Sequence, residues 1–178
     1  MCAGIAAAFK KSDLLPFALP VGVALIMPSF LIYIFGTHFW NPYVQIAVGS
    51  ILIACGVFLT GWTILIFRRT GRGSLAPWNP TRNLVTAGPY AHTRNPMISG
   101  VLFVLLGEGI LCGSPAILVW ALLFFLGNVL YFKLSEEPGL ERRFGEEYIE
   151  YRDNVPTWLP RLRPWMPSQA RSERRAPH

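Results

Sequence analysis

The feature that most constrains this chain is a run of 54 residues, from 14 to 67, that contains no formally charged side chain. A second stretch, between Arg94 and Lys133, contains a single charge, that of Glu108. Charged residues make up 15% of the whole chain, whereas soluble domains usually contain about 25%. This pattern excludes a soluble globular enzyme, a disordered chain and a nucleic-acid-binding protein, and it predicts an integral membrane protein.

Four apolar segments are long enough, or nearly long enough, to cross a hydrocarbon core of roughly 30 Å as helices of about 20 residues. They cover residues 14–35, 44–67, 96–112 and 115–132. No stretch alternates like a membrane β-strand, and helices satisfy their own backbone hydrogen bonds in lipid. The expected fold class is therefore all-α: a polytopic membrane protein with about four transmembrane helices in a single integral membrane domain, residues 1–178.

The basic residues predict the orientation of this arrangement. Of the 16 Lys and Arg residues, two precede the first span, five lie between the second and third spans, and nine follow the fourth span. All of them therefore lie on one side of the bilayer, and cytoplasmic loops carry such an excess. We expect a multi-pass protein with both termini in the cytoplasm, whose net charge of +6 reflects topology.

A tight turn at Gly113-Ser114 predicts that the third and fourth spans form a helical hairpin. Both legs then run roughly 25–32 Å from the turn, given a rise of 1.5 Å per residue. The segments Arg94-Asn95-Pro96 and Glu136-Glu137 are therefore expected at the same cytoplasmic face, on adjacent helices. Two elements forty residues apart along the chain can thus share a site.

The first of these segments has the features of a helix start. Asn95 followed by Pro96 is typical of an N-cap and a first helical residue, and such a helix end favours an anionic group. Gly100, one turn further on, would let a ligand or another helix approach closely. At the other segment, carboxylates at the end of the fourth span would oppose the helix dipole, so we expect a cation, such as a cationic ligand, to compensate them.

The C-terminal part differs in character from the spans. Pro138-Gly139 is expected to break or bend the chain, and a cytoplasmic amphipathic helix is expected over about residues 139–153, followed by a disordered basic tail over about residues 167–178. Its apolar stripe is formed by Leu140, Phe144, Tyr148, Tyr151 and Val155. The three cysteines match no metal-binding or redox spacing, so no metal site is expected.

Two stretches carry a family resemblance. Residues 86–100, T-A-G-P-Y-A-H-T-R-N-P-M-I-S-G, are similar to the R-[HN]-P-x-Y-x-G region of the isoprenylcysteine carboxyl methyltransferase and phospholipid methyltransferase superfamily. Residues 136–160, with a double glutamate, F-G-x-x-Y-x-x-Y and V-P-x-x-L-P, also resemble it. The resemblance covers about residues 85–162, and Ile98 stands where the family usually has tyrosine.

The resemblance implies an integral membrane methyltransferase that uses S-adenosyl-L-methionine at the cytoplasmic face. The positions that match its cofactor-binding consensus, with a neighbouring tyrosine, are Tyr90, Arg94, Asn95, Pro96, Gly100, Glu136 and Glu137. The catalytic candidates are Glu137, Arg94 and His92, of which Glu137 or His92 would take a proton from an amine acceptor. The implied partners are the lipid bilayer and a lipid-like or small apolar methyl acceptor: an isoprenylcysteine-type carboxylate, a thiol or a phospholipid amine.

Three other interpretations stay open at this point; the least favoured is a transporter, because four short spans without inverted repeats give no obvious path. Membrane sterol reductases have a similar R-N-P segment and C-terminal region and would use NADPH for hydride transfer, although they usually lack the paired glutamates. A non-enzymatic membrane interaction protein would use the same helices only for packing. The sequence determines neither the methyl acceptor nor the oligomeric state.

Overall fold

The computed structural model describes residues 22–38, 41–70 and 83–167. Every regular element within these ranges is helical, which confirms the predicted all-α class for this part of the chain. The expected beginning of the first span, residues 14–21, and residues 168–178 of the expected basic tail lie outside the described residues.

Four helices occupy the apolar segments: α1 (Met27–Phe35), α2 (Pro42–Thr70), α3 (Pro96–Leu111) and α4 (Pro115–Tyr131), with a π-helical turn, Gly22–Ile26, ahead of α1. The last three each begin at a proline. The fixed φ of proline suits the first helical turn, where its missing N–H leaves no hydrogen bond unmade. The sequence thus specifies where these three helices start.

Two helical stretches are long and apolar enough to cross a bilayer, judged by length and composition: Pro42–Ile66 and Pro115–Phe144. Gly22–Phe35 and Pro96–Leu111 are apolar but shorter. Large apolar side chains such as Phe58 are exposed along α2 and α4. A continuous apolar surface of this kind is stable against lipid and unfavourable in water.

Helices α2 and α3 make the most extensive interhelical contact, and glycines on both helices create it. A Cβ atom placed on Gly56 would lie 2.6 Å from the carbonyl oxygen of Gly100, and one on Gly107 would lie 2.8 Å from that of Gly49. The two pairs are seven residues apart on each helix, so the antiparallel backbones touch at two points. We call these four residues the glycine interlock; small residues permit such an approach between helices in membranes.

The turn between α3 and α4 is as tight as predicted. Gly113 has a φ of 58°, a left-handed conformation that glycine adopts without strain, and the N–H of Ser114 donates to the carbonyl of Gly109 at 2.9 Å. The two helices then pack through a buried cluster whose centre is Val101, Leu105 and Ala121. The predicted helical hairpin is therefore present.

The C-terminal part corrects one expectation. A break or bend is expected at Pro138-Gly139, and there is no break: a π-helical segment, Phe132–Glu136, joins α4 directly to helix α5 (Glu137–Phe144). The wider π turn precedes the proline and replaces the hydrogen-bonding pattern that proline disrupts.

The interruption lies instead at Gly145, whose φ is 55°. Helix α6 (Glu146–Asn154) follows it, so the expected single helix over residues 139–153 is two short helices. The apolar stripe packs together nevertheless: Tyr148, Tyr151 and Val155 are buried with Trp165.

A matched pair of substitutions on α2 tests the glycine interlock. Gly56→Ala places a methyl group against the backbone of α3, whereas Gly61 has no atom within 4 Å of an added Cβ. We expect Gly56→Ala to lower the free energy of unfolding by about 1–3 kcal/mol, a typical cost of overpacking, and Gly61→Ala to leave it unchanged or slightly raised. Thermal unfolding in detergent measures both; equal effects of the two substitutions would contradict the interlock.

Candidate active site

The loop that precedes α3 has a defined local structure. We call residues 86–96 the signature loop. It contains a 3-10 turn, Gly88–Ala91, that begins at a glycine with a φ of 62° and continues with a proline. The N–H groups of His92 and Thr93 both donate to the carbonyl of Pro89, at 3.0 and 3.1 Å, so the loop holds its shape before the helix begins.

A second segment, which we call the C-terminal strap (residues 156–167), runs antiparallel to this loop. The N–H of Arg94 donates to the carbonyl of Pro156 at 2.9 Å, that of Arg161 to the carbonyl of His92 at 2.9 Å, and that of Trp165 to the carbonyl of Ala91 at 3.0 Å. Four prolines in the strap, which cannot continue a helix, keep it out of helical structure. The strap therefore holds the loop along its backbone, while its Trp158 packs against Phe125 of α4 with the ring centroids 5.1 Å apart.

Arg94 is the centre of a polar cluster. Its Nη1 donates to Oε1 of Glu137, forming a salt bridge, and also to the hydroxyl of Tyr148 at 3.1 Å. Its Nη2 donates to Oγ1 of Thr157 at 2.5 Å, and the guanidinium lies 5.6 Å from the ring centroid of Phe132. The Arg94 and Glu137 side chains are only 10% and 20% exposed, so the two charges compensate each other in a partly desolvated place.

The tyrosines around this cluster stay protonated. Burial raises the pKa of Tyr148, although the Arg94 guanidinium opposes the shift, and burial together with the Glu136 carboxylate raises the pKa of Tyr90. The hydroxyl of Tyr151 donates to the carbonyl of Tyr90 at 2.6 Å, and burial raises the pKa of Tyr151 as well. These hydroxyls therefore act as neutral hydrogen-bonding groups.

An apolar cavity of about 700 Å³ adjoins the signature loop. Its walls are Leu59 and Trp62 of α2, the signature loop, the first turns of α3 as far as Phe103, and the strap with Trp158 and Trp165. The volume lies within the usual range of ligand-binding cavities, about 300–1,000 Å³. The cavity can therefore hold an apolar molecule of considerable size.

His92 lies on the cavity wall in a fixed orientation. Its Nδ1 is 2.7 Å from the carbonyl oxygen of Arg161. A carbonyl only accepts, so Nδ1 carries the hydrogen, and Nε2 of the neutral ring is left as an acceptor. The strap thus selects the tautomer that a proton acceptor at Nε2 requires.

The structure separates the predicted site residues into three groups. Arg94 and Glu137 contact each other, as the hairpin geometry predicts. His92 and Pro96 line the cavity, and the buried Asn95 precedes α3. Gly100 instead packs against α2, where an added Cβ would lie 2.3 Å from Oγ1 of Thr60. The sequence suggests that either a ligand or another helix approaches Gly100 closely, and the structure shows another helix.

Glu136 and Tyr90 are placed differently from the Arg94 pair. Glu136 is exposed, because adjacent residues on a helix face different directions and its neighbour Glu137 faces Arg94. Tyr90 is half-buried, and the negative charge of Glu136 is close enough to contribute to its raised pKa. Ile98 is half-buried in the first turn of α3. In the described ranges, no three His, Cys, Asp or Glu side chains form a group that would hold a metal ion.

The sequence does not predict the strap or two side chains that accept hydrogen bonds from Arg94, those of Tyr148 and Thr157. The sequence places Tyr148 in an apolar packing stripe, and Thr157 and Trp158 occupy unspecified positions of V-P-x-x-L-P. The regular recurrence of proline after residue 155 is the available signal that the chain is no longer helical there, but it does not indicate which segment the strap contacts.

Comparison with known proteins identifies the family of this chain. Residues 44–147, more than half of the chain, match the phospholipid methyltransferase family. The chain therefore belongs to this family, and the resemblance given by its motifs is confirmed.

Three relatives show the extent of the similarity. The human protein-S-isoprenylcysteine O-methyltransferase is 40% identical over 86 residues, 45% of this chain and 28% of that protein. The Schizosaccharomyces pombe protein of the same name is 31% identical over 140 residues, 76% of this chain and 56% of that protein. The B form from Arabidopsis thaliana is 35% identical over 83 residues, 43% of this chain and 39% of that protein. The chain thus spans between about a quarter and just over half of the length of these relatives. No solved structure matches it.

The Arg94 cluster predicts a difference between two arginine-to-lysine substitutions. Lysine keeps the charge but lacks the planar fork that reaches Glu137, Tyr148 and Thr157 together. We expect Arg94→Lys to lower the free energy of unfolding by about 1–3 kcal/mol and to speed tryptic cleavage of the strap. Arg142→Lys on the exposed face of α5 serves as the control, and identical behaviour of both variants would argue against the cluster.

Proposed function

We propose that this protein is an S-adenosyl-L-methionine-dependent methyltransferase that acts at the cytoplasmic face of a membrane on a lipid-like or small apolar acceptor. Membership of the phospholipid methyltransferase family and relatives named as methyltransferases support it. One observation carries the proposal: the signature loop is a wall shared by a charged cluster, Arg94 with Glu137, and an apolar cavity that His92 lines. A polar cofactor and an apolar acceptor need such adjacent environments.

The residues of the charged cluster suit the cofactor. Nε of Arg94 is buried and has no hydrogen-bond partner among the described residues, so a donor is available for a carboxylate, next to the N-terminus of α3. The carboxylates of Glu136 and Glu137 would hold the ribose hydroxyls, the amino group or the sulfonium. The cofactor supplies a methyl group already activated on a sulfonium, so the protein mainly has to bind and align.

The cavity suits the acceptor. Its lining is mostly apolar, and on α2 it includes Leu59 and Trp62, whose neighbours such as Phe58 are exposed on the apolar outer surface. An apolar acceptor would enter laterally from the bilayer. His92 can take a proton from it, because Nε2 is the free acceptor of the neutral ring.

Cofactor binding to the purified protein in nanodiscs is the most direct measurement. We expect S-adenosyl-L-methionine and its demethylated product to bind and NADPH not to bind, by isothermal titration calorimetry. The double substitution Glu136→Gln/Glu137→Gln should weaken binding at least about tenfold, or 1.4 kcal/mol, because it removes both carboxylates.

The double substitution Glu146→Gln/Glu147→Gln, at exposed residues of α6, is the matched control. Glu136→Gln alone leaves the salt bridge of Arg94 intact and so separates cofactor contact from stability. Binding of NADPH in place of S-adenosyl-L-methionine would identify a reductase, and binding of neither would refute the methyltransferase proposal.

We further propose that four helices, from α1 to α4, span the membrane, that α5 and α6 lie on the cytoplasmic side, and that both termini are cytoplasmic. The distribution of basic residues supports this topology. The turn at Gly113 and the loop at His38 lie together, since the N–H of His38 donates to the carbonyl of Gly113 at 3.1 Å. Both connections would then face the opposite side.

Cysteine labelling tests the topology. In a chain whose three native cysteines are replaced, Thr37→Cys should react with a membrane-impermeant maleimide in intact cells, whereas Glu146→Cys should react only after permeabilisation. Both positions are exposed, so accessibility within the protein is matched. Labelling of Glu146→Cys before permeabilisation would reverse the proposed orientation.

A further inference from the structure

The outer surface of the strap is both apolar and basic. Leu159 is 80% exposed and Leu162 is 98% exposed, and neither lines the cavity. Arg163 is also exposed and forms no salt bridge with any residue that the structure describes. The headgroup region of a membrane accommodates both kinds of side chain, because apolar groups reach the acyl chains there while charged groups stay near water.

Contacts of the strap place it beside the apolar helices. The ring of Trp158 lies 5.1 Å from that of Phe125 and 6.3 Å from that of Phe132, measured between centroids. Phe125 precedes Phe132 by seven residues, or about 10 Å along the helix axis. The cavity that the strap closes also includes Phe103 of α3, which follows Pro96 by seven residues.

Both contacts therefore lie about 10 Å inside the ends of helices that cross the membrane in the proposed topology. The polar layer on each side of the hydrocarbon core is only about 5–8 Å thick. Leu159 follows Trp158 directly in the chain, and consecutive Cα atoms are about 3.8 Å apart. The exposed leucines are consequently within reach of the boundary between headgroups and acyl chains.

The charges around the strap are separated by sign. Residues 156–167 include Arg161 and Arg163 and no acidic residue. The adjoining helix α6 packs toward the strap through Tyr148 and Tyr151, which are buried with Trp165. Three of the four acidic residues of α6 lie on its opposite face, as the helical spacing requires: Glu146, Glu150 and Asp153. The basic strap and the acidic face of α6 thus point in different directions.

We propose that the strap binds the surface of an anionic phospholipid leaflet. Leu159 and Leu162 enter the boundary of the acyl chains, and the guanidinium of Arg163 binds a lipid phosphate. This inference rests on the membrane topology proposed above and goes beyond the methyltransferase function. Charge complementarity identifies the lipid class, because an arginine near an anionic membrane surface gains about 1 kcal/mol.

A second copy of the chain fits this surface less well than a leaflet does. A two-fold contact uses the same surface on both copies, so it would bring two basic straps together. An anionic leaflet compensates the arginine and buries the leucines at once. Since Trp158 and Trp165 of the strap line the cavity, the leaflet would support this cavity wall from outside.

A fluorescent label at residue 162 tests whether the strap enters the bilayer. In a chain whose three native cysteines are replaced, Leu162→Cys is labelled with a nitrobenzoxadiazole maleimide. The protein is placed in nanodiscs of phosphatidylcholine and phosphatidylglycerol in equal amounts. We expect protection from aqueous acrylamide and quenching by lipids that carry a nitroxide near the headgroup.

Two further positions complete this measurement. Glu146→Cys, exposed on the opposite face of α6, is the control and should be quenched by acrylamide and not by the nitroxide lipids. Leu159→Cys is a second position in the strap and should behave like Leu162→Cys. Equal acrylamide quenching at residues 162 and 146 would refute insertion. Protection of residue 162 without quenching by lipid would show that protein covers the strap, and would refute the proposal as well.

The lipid class is tested with the same label at residue 162. We expect nitroxide-labelled phosphatidylglycerol to be enriched about fivefold around the label over nitroxide-labelled phosphatidylcholine, the equivalent of one arginine at an anionic surface. High salt should reduce this preference. Arg163→Gln should abolish it and Arg163→Lys should keep it. Arg142→Gln, which removes an exposed arginine from α5, should leave it unchanged.

Equal quenching by the two lipids, or the same preference in Arg163→Gln as in the unsubstituted strap, would refute the binding of an anionic headgroup. The measurements need neither cofactor nor methyl acceptor, so their outcome is independent of the methyltransferase proposal. Both faces of a nanodisc have the same composition and are open to solvent. A reversed orientation of the chain would therefore leave the result unaltered.

Discussion

The rest of the structure depends on the contact between two helix backbones at the glycine interlock. Two contact points, separated by seven residues on each helix, fix both the distance between α2 and α3 and their axial register. Because α3 begins at the signature loop, this register also determines which part of α2 faces the loop. Leu59 and Trp62 consequently stand across the cavity from His92. The shape of the cavity thus depends on helix packing that begins at its edge, where Gly56 and Gly100 meet.

The second constraint is the compensation of a nearly buried guanidinium. The sequence predicts Glu136-Glu137 at a helix end, with a cation, such as a cationic ligand, to offset them. The helix instead continues to Phe144, and the cation beside Glu137 is Arg94 of the protein itself. A charge pair of this kind contributes little net stability but strongly penalises separation of its partners. It therefore ties α5 to the loop before α3.

Local signals and the hairpin geometry made much of this arrangement predictable. Prolines indicate where α3 and α4 begin, and the turn at Gly113 predicts the hairpin. The geometry of the hairpin in turn predicts the contact between Arg94 and Glu137. The sequence did not predict the break at Gly145 or the pairing of the strap with the signature loop. A helix break depends on one φ angle, and the strap pairs backbones, for which side-chain periodicity gives no signal. The cavity was missed for the same reason, since the strap forms one of its walls.

The strap also has a consequence for the order of assembly. Its contact with His92 joins residues 69 positions apart, and all of α2, α3 and α4 precede it in the chain. During synthesis the helices emerge first and can pack before residues 156–167 exist. The cavity is accordingly the last part of the described structure to be completed. A chain stopped ahead of Pro156 would retain the helical hairpin yet have an open groove in place of the cavity.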